Sequence, residues 1–285
     1  MWSILNGTIV NVFTVLVGGT AGLTLGGRLP QRYQRIILDV LGLVTVVLGV
    51  DAGVNGFNTA VRQYKPAGAA GDGFGPRLAM VMVASLVIGA VIGTALRLHE
   101  RIEALGAALH RRLPSRRSAA TGVPEIEVPA EPLDVAALTP GERFAEGFLA
   151  SSVLFCIGPL TLLGCLNNGT RGDRGLLYVK SCLDAFSSMA LAASLGSGVL
   201  GSILTIVVIQ GGLSIAAHQL GGSLGGLSLD MMNIVGGVVL LATALLLLEI
   251  RKIPVANLLP AIFLPPILIA LARMLFPTAL GGTAS

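Results

Sequence analysis

The sequence predicts an all-α protein, a polytopic bundle of about eight transmembrane helices. Three observations carry that expectation. Hydrophobic residues make up 53% of the 285-residue chain and charged residues only 12%, where a soluble domain carries about 25% charged. Apolar runs of 18 or more residues recur from one end to the other, and a helix of that length crosses about 30 Å of hydrocarbon. Glycine, at 38 residues, has roughly twice its usual share, as in membrane helices whose backbones pack closely.

Taken in order, the spans are expected near residues 4–25, 36–54, 78–98, 144–166, 176–195, 199–217, 231–248 and 255–276. The first has no basic stretch before its apolar run, so it reads as a retained span rather than a cleaved signal peptide. The fifth and sixth are separated only by "GSG" at 196–198. A tight hairpin is the natural reading there, with a broken or re-entrant segment as the alternative. Three groups follow: a first set of three spans over 1–98, a connection over 99–143, and a second set of five spans over 144–285.

Lysine and arginine orient these spans, because cytoplasmic loops carry the excess of both. One set of connections holds Arg28, Arg32, Arg35, the six arginines from Arg97 to Arg117, Arg143, Arg251 and Lys252, twelve in all. The alternate set holds six: Arg62, Lys65, Arg77, Arg171, Arg174 and Arg273. The first set is therefore expected in the cytoplasm and both termini outside. The net charge of +4 lies beside spans and implies no nucleic-acid partner.

In the long connection, Ile102, Leu105, Leu109 and Leu113 form one helical stripe opposite Arg and Glu. That pattern suits a span running on into the cytoplasm, a helix lying on anionic lipid, or a solvated helix end. Beyond it come Pro124, Pro129, Pro132 and Pro140 with Glu125, Glu127, Glu131 and Asp134, the composition of an acidic flexible linker. An inverted repeat is a further expectation. "VLVGGTAGL" before "LGLVTVVLG" is echoed by "VVIQGGLSI" before "VGGVVLLAT", at offsets of 193 and 194, and the odd number of crossings between them would invert the second copy.

Function should reside in polar groups inside the membrane. An ionisable side chain there costs about 2.5–3.5 kcal/mol on insertion scales, so it needs a partner or a water-filled cavity. Lys180, Asp184, Ser187, Ser188 and Leu191 follow i, i+4, i+7, i+8, i+11 spacing and share one helix face, which must turn inward. Lys180 and Asp184 can pair, although Lys before Asp is the weaker order, and Asp39 in the second span is a rival partner for Lys180. The pair either packs helices or marks an ion, proton or substrate path. Asn11, beside Asn6, Thr8 and Thr14 in the first span, and Gln210 in the sixth are candidates to coordinate a solute or to bridge helices. Gly158 and Pro159 should break the fourth span and free the carbonyl of Phe155, making a kink or a cation ligand.

Enzyme signatures do not occur: the sequence has no phosphate-binding glycine loop, no H-E-x-x-H and no G-x-S-x-G. His99, His110 and His218 lie at span ends, and Cys156, Cys165 and Cys182 lie within apolar segments. Neither a disulfide framework nor a zinc cage is expected from them, no cofactor is implied, and the sequence leaves a metal ligand set undefined. The "NGT" at Asn168 and the "RGD" at Arg171 read as incidental loop sequence.

Several stretches resemble one bacterial membrane family. They are "NGTIVNVFTVLVGGTAGLTLGGRLP", then "FCIGPLTLLG", "NNGTRGD", "LLYVKSCLDAFSSM", "GSGV" and "IQGG", and the closing "EIRKIPVANLLPAIFLPP". The family is that typified by YqgA and YdfK, and the likeness spans most of the chain outside a linker at about 113–142. It implies a multi-pass protein of the bacterial inner membrane with no assigned activity. A shorter stretch, "LDAFSSMALAASLG", is similar to a segment of bacterial manganese exporters, where the position of Asp184 would be a cation ligand; their second motif is not evident here. The partners expected are the lipid bilayer and a small solute or ion, with self-association left open. The leading expectation is a transporter of a small solute or ion, with a non-transporting scaffold or signalling protein as the alternative and an enzyme not expected.

Overall fold

The computed structural model describes residues 2–25, 31–65, 73–101, 140–156, 158–221, 224–251 and 253–275. Every regular element among them is helical. Helix α1 spans Trp2–Leu25 and α2 Gln31–Val50; a π-helical turn at Asp51–Asn55 joins α2 to α3, Gly56–Tyr64. Helix α4 is Phe74–Ala95, α5 Pro140–Cys156, α6 Pro159–Arg171, α7 Gly175–Leu195, α8 Gly198–Gly221 and α9 Gly226–Leu247. A 3-10 stretch, Val255–Phe263, leads into α10, Leu264–Leu275. The amphipathic stripe at 102–113 and most of the acidic linker lie outside the described residues, so the fold begins again at α5.

Seven of these helical stretches are long and apolar enough to cross a membrane, and α5 with α6 makes an eighth if the bent pair is one span. The surface agrees with a lipid solvent. Phe13, Val17, Met80, Val91, Leu204 and Val208 are all at least half exposed, whereas small and polar residues face inward on the same helices. On α1 the exposed positions Ile9, Phe13 and Leu16 stand opposite buried Thr8, Asn11 and Val15. Water would penalise that outward apolar surface; hydrocarbon does not.

The two local breaks have identifiable causes. Helices α7 and α8 are separate, of 21 and 24 residues, which resolves the 176–217 region as two full-length helices. The turn between them is closed by Gly196 at φ +81°, a conformation glycine adopts without a Cβ clash. Helices α5 and α6 meet at an angle of 53°. Gly158 is fully extended there, at φ −165° and ψ 155°, and Pro159 supplies no N–H to continue the helix.

The described residues pack as two compact units, each drawn from two separate lengths of chain. One comprises Met1–Leu41 and Glu100–Gly222, the other Gly42–His99 and Ser223–Ser285. The second unit is built around α9, the most buried span, with 56% of its membrane window buried. Its core joins Leu78 and Val81 of α4 to Met231 and Ile234 of α9 and Ile269 of α10.

In the first unit α1 lies along α7 and α8. Going up α1, Gly7, Gly18 and Gly22 meet Leu177, Ala185 and Met189 in turn, so α1 and α7 run parallel. Gly19 meets Leu200 while Gly211 faces Leu5 and Thr8, so α1 and α8 run antiparallel. The pair Gly18 and Gly22 sets the closeness of α1 and α7. A Cβ on either would strike a backbone carbonyl oxygen of α7, that of Ala185 or that of Met189. Small residues four apart permit this approach between membrane helices, and it brings Asn11 against Asp184.

Candidate functional site

Helix α7 presents Leu177, Ser181, Asp184, Ser188 and Ala192 to the interior, with Lys180 buried beside them. Lys180 is 4% exposed and Asp184 7%. The Lys180 ammonium donates to Asp184 Oδ2 one turn along the same helix. The pairing removes the net charge that burial would oppose. Asp39, half-buried in α2, is not the partner of Lys180; Asp184 is. Ser187 is half-buried at the edge of the inward face. Ser188 is fully buried, and its hydroxyl donates to the Ala185 carbonyl at 2.9 Å.

The ion pair is the end of a longer hydrogen-bonded chain. Asn11 of α1, fully buried, donates from Nδ2 to Asp184 Oδ2 at 2.9 Å and to Gln210 Oε1 of α8 at 2.8 Å. Gln210 is likewise fully buried. Four side chains from three helices are thus joined in one network whose sequence separations reach 199 residues. The donors and acceptors are ordered by the carboxylate. An ionised Asp184 only accepts, so Asn11 must offer it the amide nitrogen, and that nitrogen also meets the Gln210 oxygen. The remaining ends, Asn11 Oδ1 and Gln210 Nε2, make no hydrogen bond in the structure.

Helix α6 closes the group from another side. Cys165 donates from Sγ to the Gln210 carbonyl at 3.4 Å, and Gly164 beside it lies against Leu177 of α7. Helix α6 thus packs against the helix that carries the ion pair. The carbonyl freed at the break between α5 and α6 is not left bare as the sequence suggested: the Thr161 hydroxyl donates to Phe155 O at 3.2 Å. Local capping of this kind is the usual remedy for a proline break in a membrane helix.

Some participants were not legible in the sequence. Asn168 lies within α6 rather than in a loop, is 2% exposed, and its amide donates to the Ile4 carbonyl of α1. Ser214, one turn beyond Gln210 on α8, is fully buried, and His218 a turn further contacts the Gly169 carbonyl at 3.1 Å. The spacing Gln210, Ser214, His218 is a four-residue polar repeat that would have marked this face of α8. Among the described residues no group of three or more His, Cys, Asp or Glu side chains could together hold a metal ion. The three cysteines are free thiols, Cys182 exposed and the others buried.

A bundle of apolar-surfaced helices enclosing charged and amide side chains defines a multi-pass bacterial membrane protein with a polar centre. The chain belongs to the family described as protein of unknown function (DUF554), whose model matches residues 6–270. It is similar to the uncharacterized membrane protein YdfK of Bacillus subtilis, with 25% identity over 92% of this chain and 95% of the relative. It is also similar to the uncharacterized protein YqgA of Escherichia coli, with 30% identity over 90% of this chain and 93% of the relative. No solved structure matches the chain.

Proposed function

We propose that this protein transports a small solute or ion across the membrane, a divalent cation included, and that Lys180, Asp184, Asn11 and Gln210 form its binding centre. One observation carries the reading: a carboxylate–ammonium pair and two amides, from three helices distant in sequence, meet inside the first unit. Four polar side chains are an expensive way to hold three helices together, since an interhelical hydrogen bond in a membrane contributes about 0.6 kcal/mol on average. Charged side chains buried in spans serve ion, proton or substrate paths by default. The broken pair α5 and α6, whose second helix packs against α7, supports the same reading, because transporters place their sites at discontinuous helices.

The test is flux in reconstituted vesicles, screened against Mn²⁺, Na⁺, H⁺ and small organic solutes. Asp184→Asn keeps shape and hydrogen bonding but removes the charge, so the variant protein should stay folded and lose flux. A second reading, a non-transporting scaffold or signalling protein, is favoured by the near-complete burial of Lys180 and Asp184. It replaces the first if Asp184→Asn and Lys180→Met lower expression alike and no wild-type flux is found.

A further inference from the structure

Of the buried polar atoms in the first unit that make no hydrogen bond, five lie on α1, α6 and α8: Thr8 Oγ1, Asn11 Oδ1, Asn168 Oδ1, Gln210 Nε2 and Ser214 Oγ, the last with the Cys165 thiol beside it. Their residues are all 97% or more buried, Thr8 being 3% exposed, Asn168 2%, and the other three 0%. They are not scattered. Thr8 stands one turn from Asn11 on α1, and Ser214 one turn from Gln210 on α8. Thr8 meets the α8 backbone at Gly211, and Asn168 of α6 is bonded to Ile4, one turn before Thr8. The orphaned atoms therefore form a seam between α1, α6 and α8. It runs from Asp184 toward exposed His218, at the end where α1 begins and α6 and α8 finish.

A dry seam of this kind is energetically unreasonable. Each unsatisfied buried group costs about 1–3 kcal/mol, so five together rival the ~5–15 kcal/mol net stability of a whole domain. The pattern of partners also selects what fills it. Gln210 Nε2 offers protons, the Asn11 and Asn168 oxygens accept them, and the two hydroxyls do either. A bare cation would face the Gln210 protons, and a bare anion would face two amide oxygens. Exchanging the ends of the two amides does not escape the mismatch, because it would set the Asn11 oxygen against the Asp184 carboxylate. Water satisfies all five, each molecule making about three hydrogen bonds.

We infer that the α1–α6–α8 seam is a hydrated channel that opens Asp184 to the membrane face on which His218 lies. This rests on the proposed role of Asp184 only for its purpose; the hydration itself does not depend on transport. The route would take water, a proton carried along it, or a small hydrated solute.

The experiment uses the full-length protein in vesicles, with Cys156, Cys165 and Cys182 replaced by Ala and single cysteines introduced as Thr8→Cys, Ser214→Cys and, as a lipid-facing control, Phe13→Cys. A charged, membrane-impermeant thiosulfonate reacts with thiolate in water, so Thr8→Cys and Ser214→Cys should be labelled roughly tenfold or more faster than Phe13→Cys. Labelling should come from the His218 side alone. Rates equal to that of Phe13→Cys overturn the proposal. A second measurement stands without labelling, the melting temperature of Thr8→Val in the otherwise native chain. In a dry seam the substitution removes an unsatisfied hydroxyl and raises it; in a hydrated seam the melting temperature stays level or falls. Normal labelling with no detectable flux for any solute would leave the channel standing and remove only the transport reading.

Discussion

Asp184 holds two donors at one oxygen, the Lys180 ammonium and the Asn11 amide, and this asymmetry fixes how its substitutions should differ. Asn at 184 leaves the Lys180 ammonium without its counter-charge but retains an oxygen for both donors, so Asp184→Asn should cost less in stability than loss of the ammonium. Lys180→Met leaves the carboxylate buried with Asn11 as its remaining hydrogen-bond donor, and breaking a buried pair in this way costs about 3–5 kcal/mol. Thermal unfolding in detergent should therefore rank wild type, then Asp184→Asn, then Lys180→Met; equal loss for both variants would mean that the charge of Asp184 is used only for packing. At the same scale, Asn11→Leu severs Asp184 from Gln210 at once. It removes two interhelical hydrogen bonds, worth about 1–2 kcal/mol together on membrane-protein averages. A double-mutant cycle of Asn11→Leu with Gln210→Leu should show a coupling of that sign, since the two amides share a bond.

At the scale of elements, α1 reaches α7 through two glycines. Gly18 and Gly22 each lie against a carbonyl oxygen of α7, so a larger residue must push the helices apart rather than find a new rotamer. Gly22→Val should destabilise the protein by about 1–3 kcal/mol. Because it lies three turns from Asn11, it should also loosen the Asn11–Asp184 contact. Melting temperature and the labelling rate of a cysteine at position 214 together check this: the first should fall and the second rise. A Gly22→Val protein as stable as wild type would show that the helices are held by other contacts. The break between α5 and α6 acts differently. Its geometry is set by Gly158 and Pro159 within the chain itself, and Thr161 satisfies the carbonyl it exposes.

For the whole molecule, the bent pair decides the topology. If α5 and α6 together cross the membrane once, the helical stretches make eight spans, and the two termini share a face. If the pair entered and left on one side, α7 would be the fourth crossing and would run antiparallel to α1; the two run parallel, as the eight-span arrangement requires. The twofold excess of Lys and Arg in one set of connections orients the eight-span arrangement with 99–143 in the cytoplasm. Reporter fusions within 113–139 and after Ser285 should accordingly report cytoplasmic and outer locations. A cytoplasmic reporter at both sites would contradict the parallel packing of α1 and α7 and remove the topological basis for an inverted repeat.

Composition and periodicity were enough to determine the membrane class, the helices and their approximate ends. They also exposed the Lys180–Asp184 pair, because an apolar medium makes every charge conspicuous in the sequence and the α-helical repeat puts i and i+4 together. The Gly158–Pro159 break was readable for a similar reason: proline's missing N–H is a property of the residue alone. Tertiary structure decided what those charges meet. That Asn11 joins Asp184 to Gln210, that Asp39 does not take Lys180, and that Asn168 is a buried bridge rather than a loop residue all depend on contacts between distant lengths of chain. So does the composition of the two compact units, each assembled from separate segments. An amide or hydroxyl in a span is cheap enough to occur without a partner nearby in sequence. Its role is fixed only when another helix packs against it and water is, or is not, admitted between them.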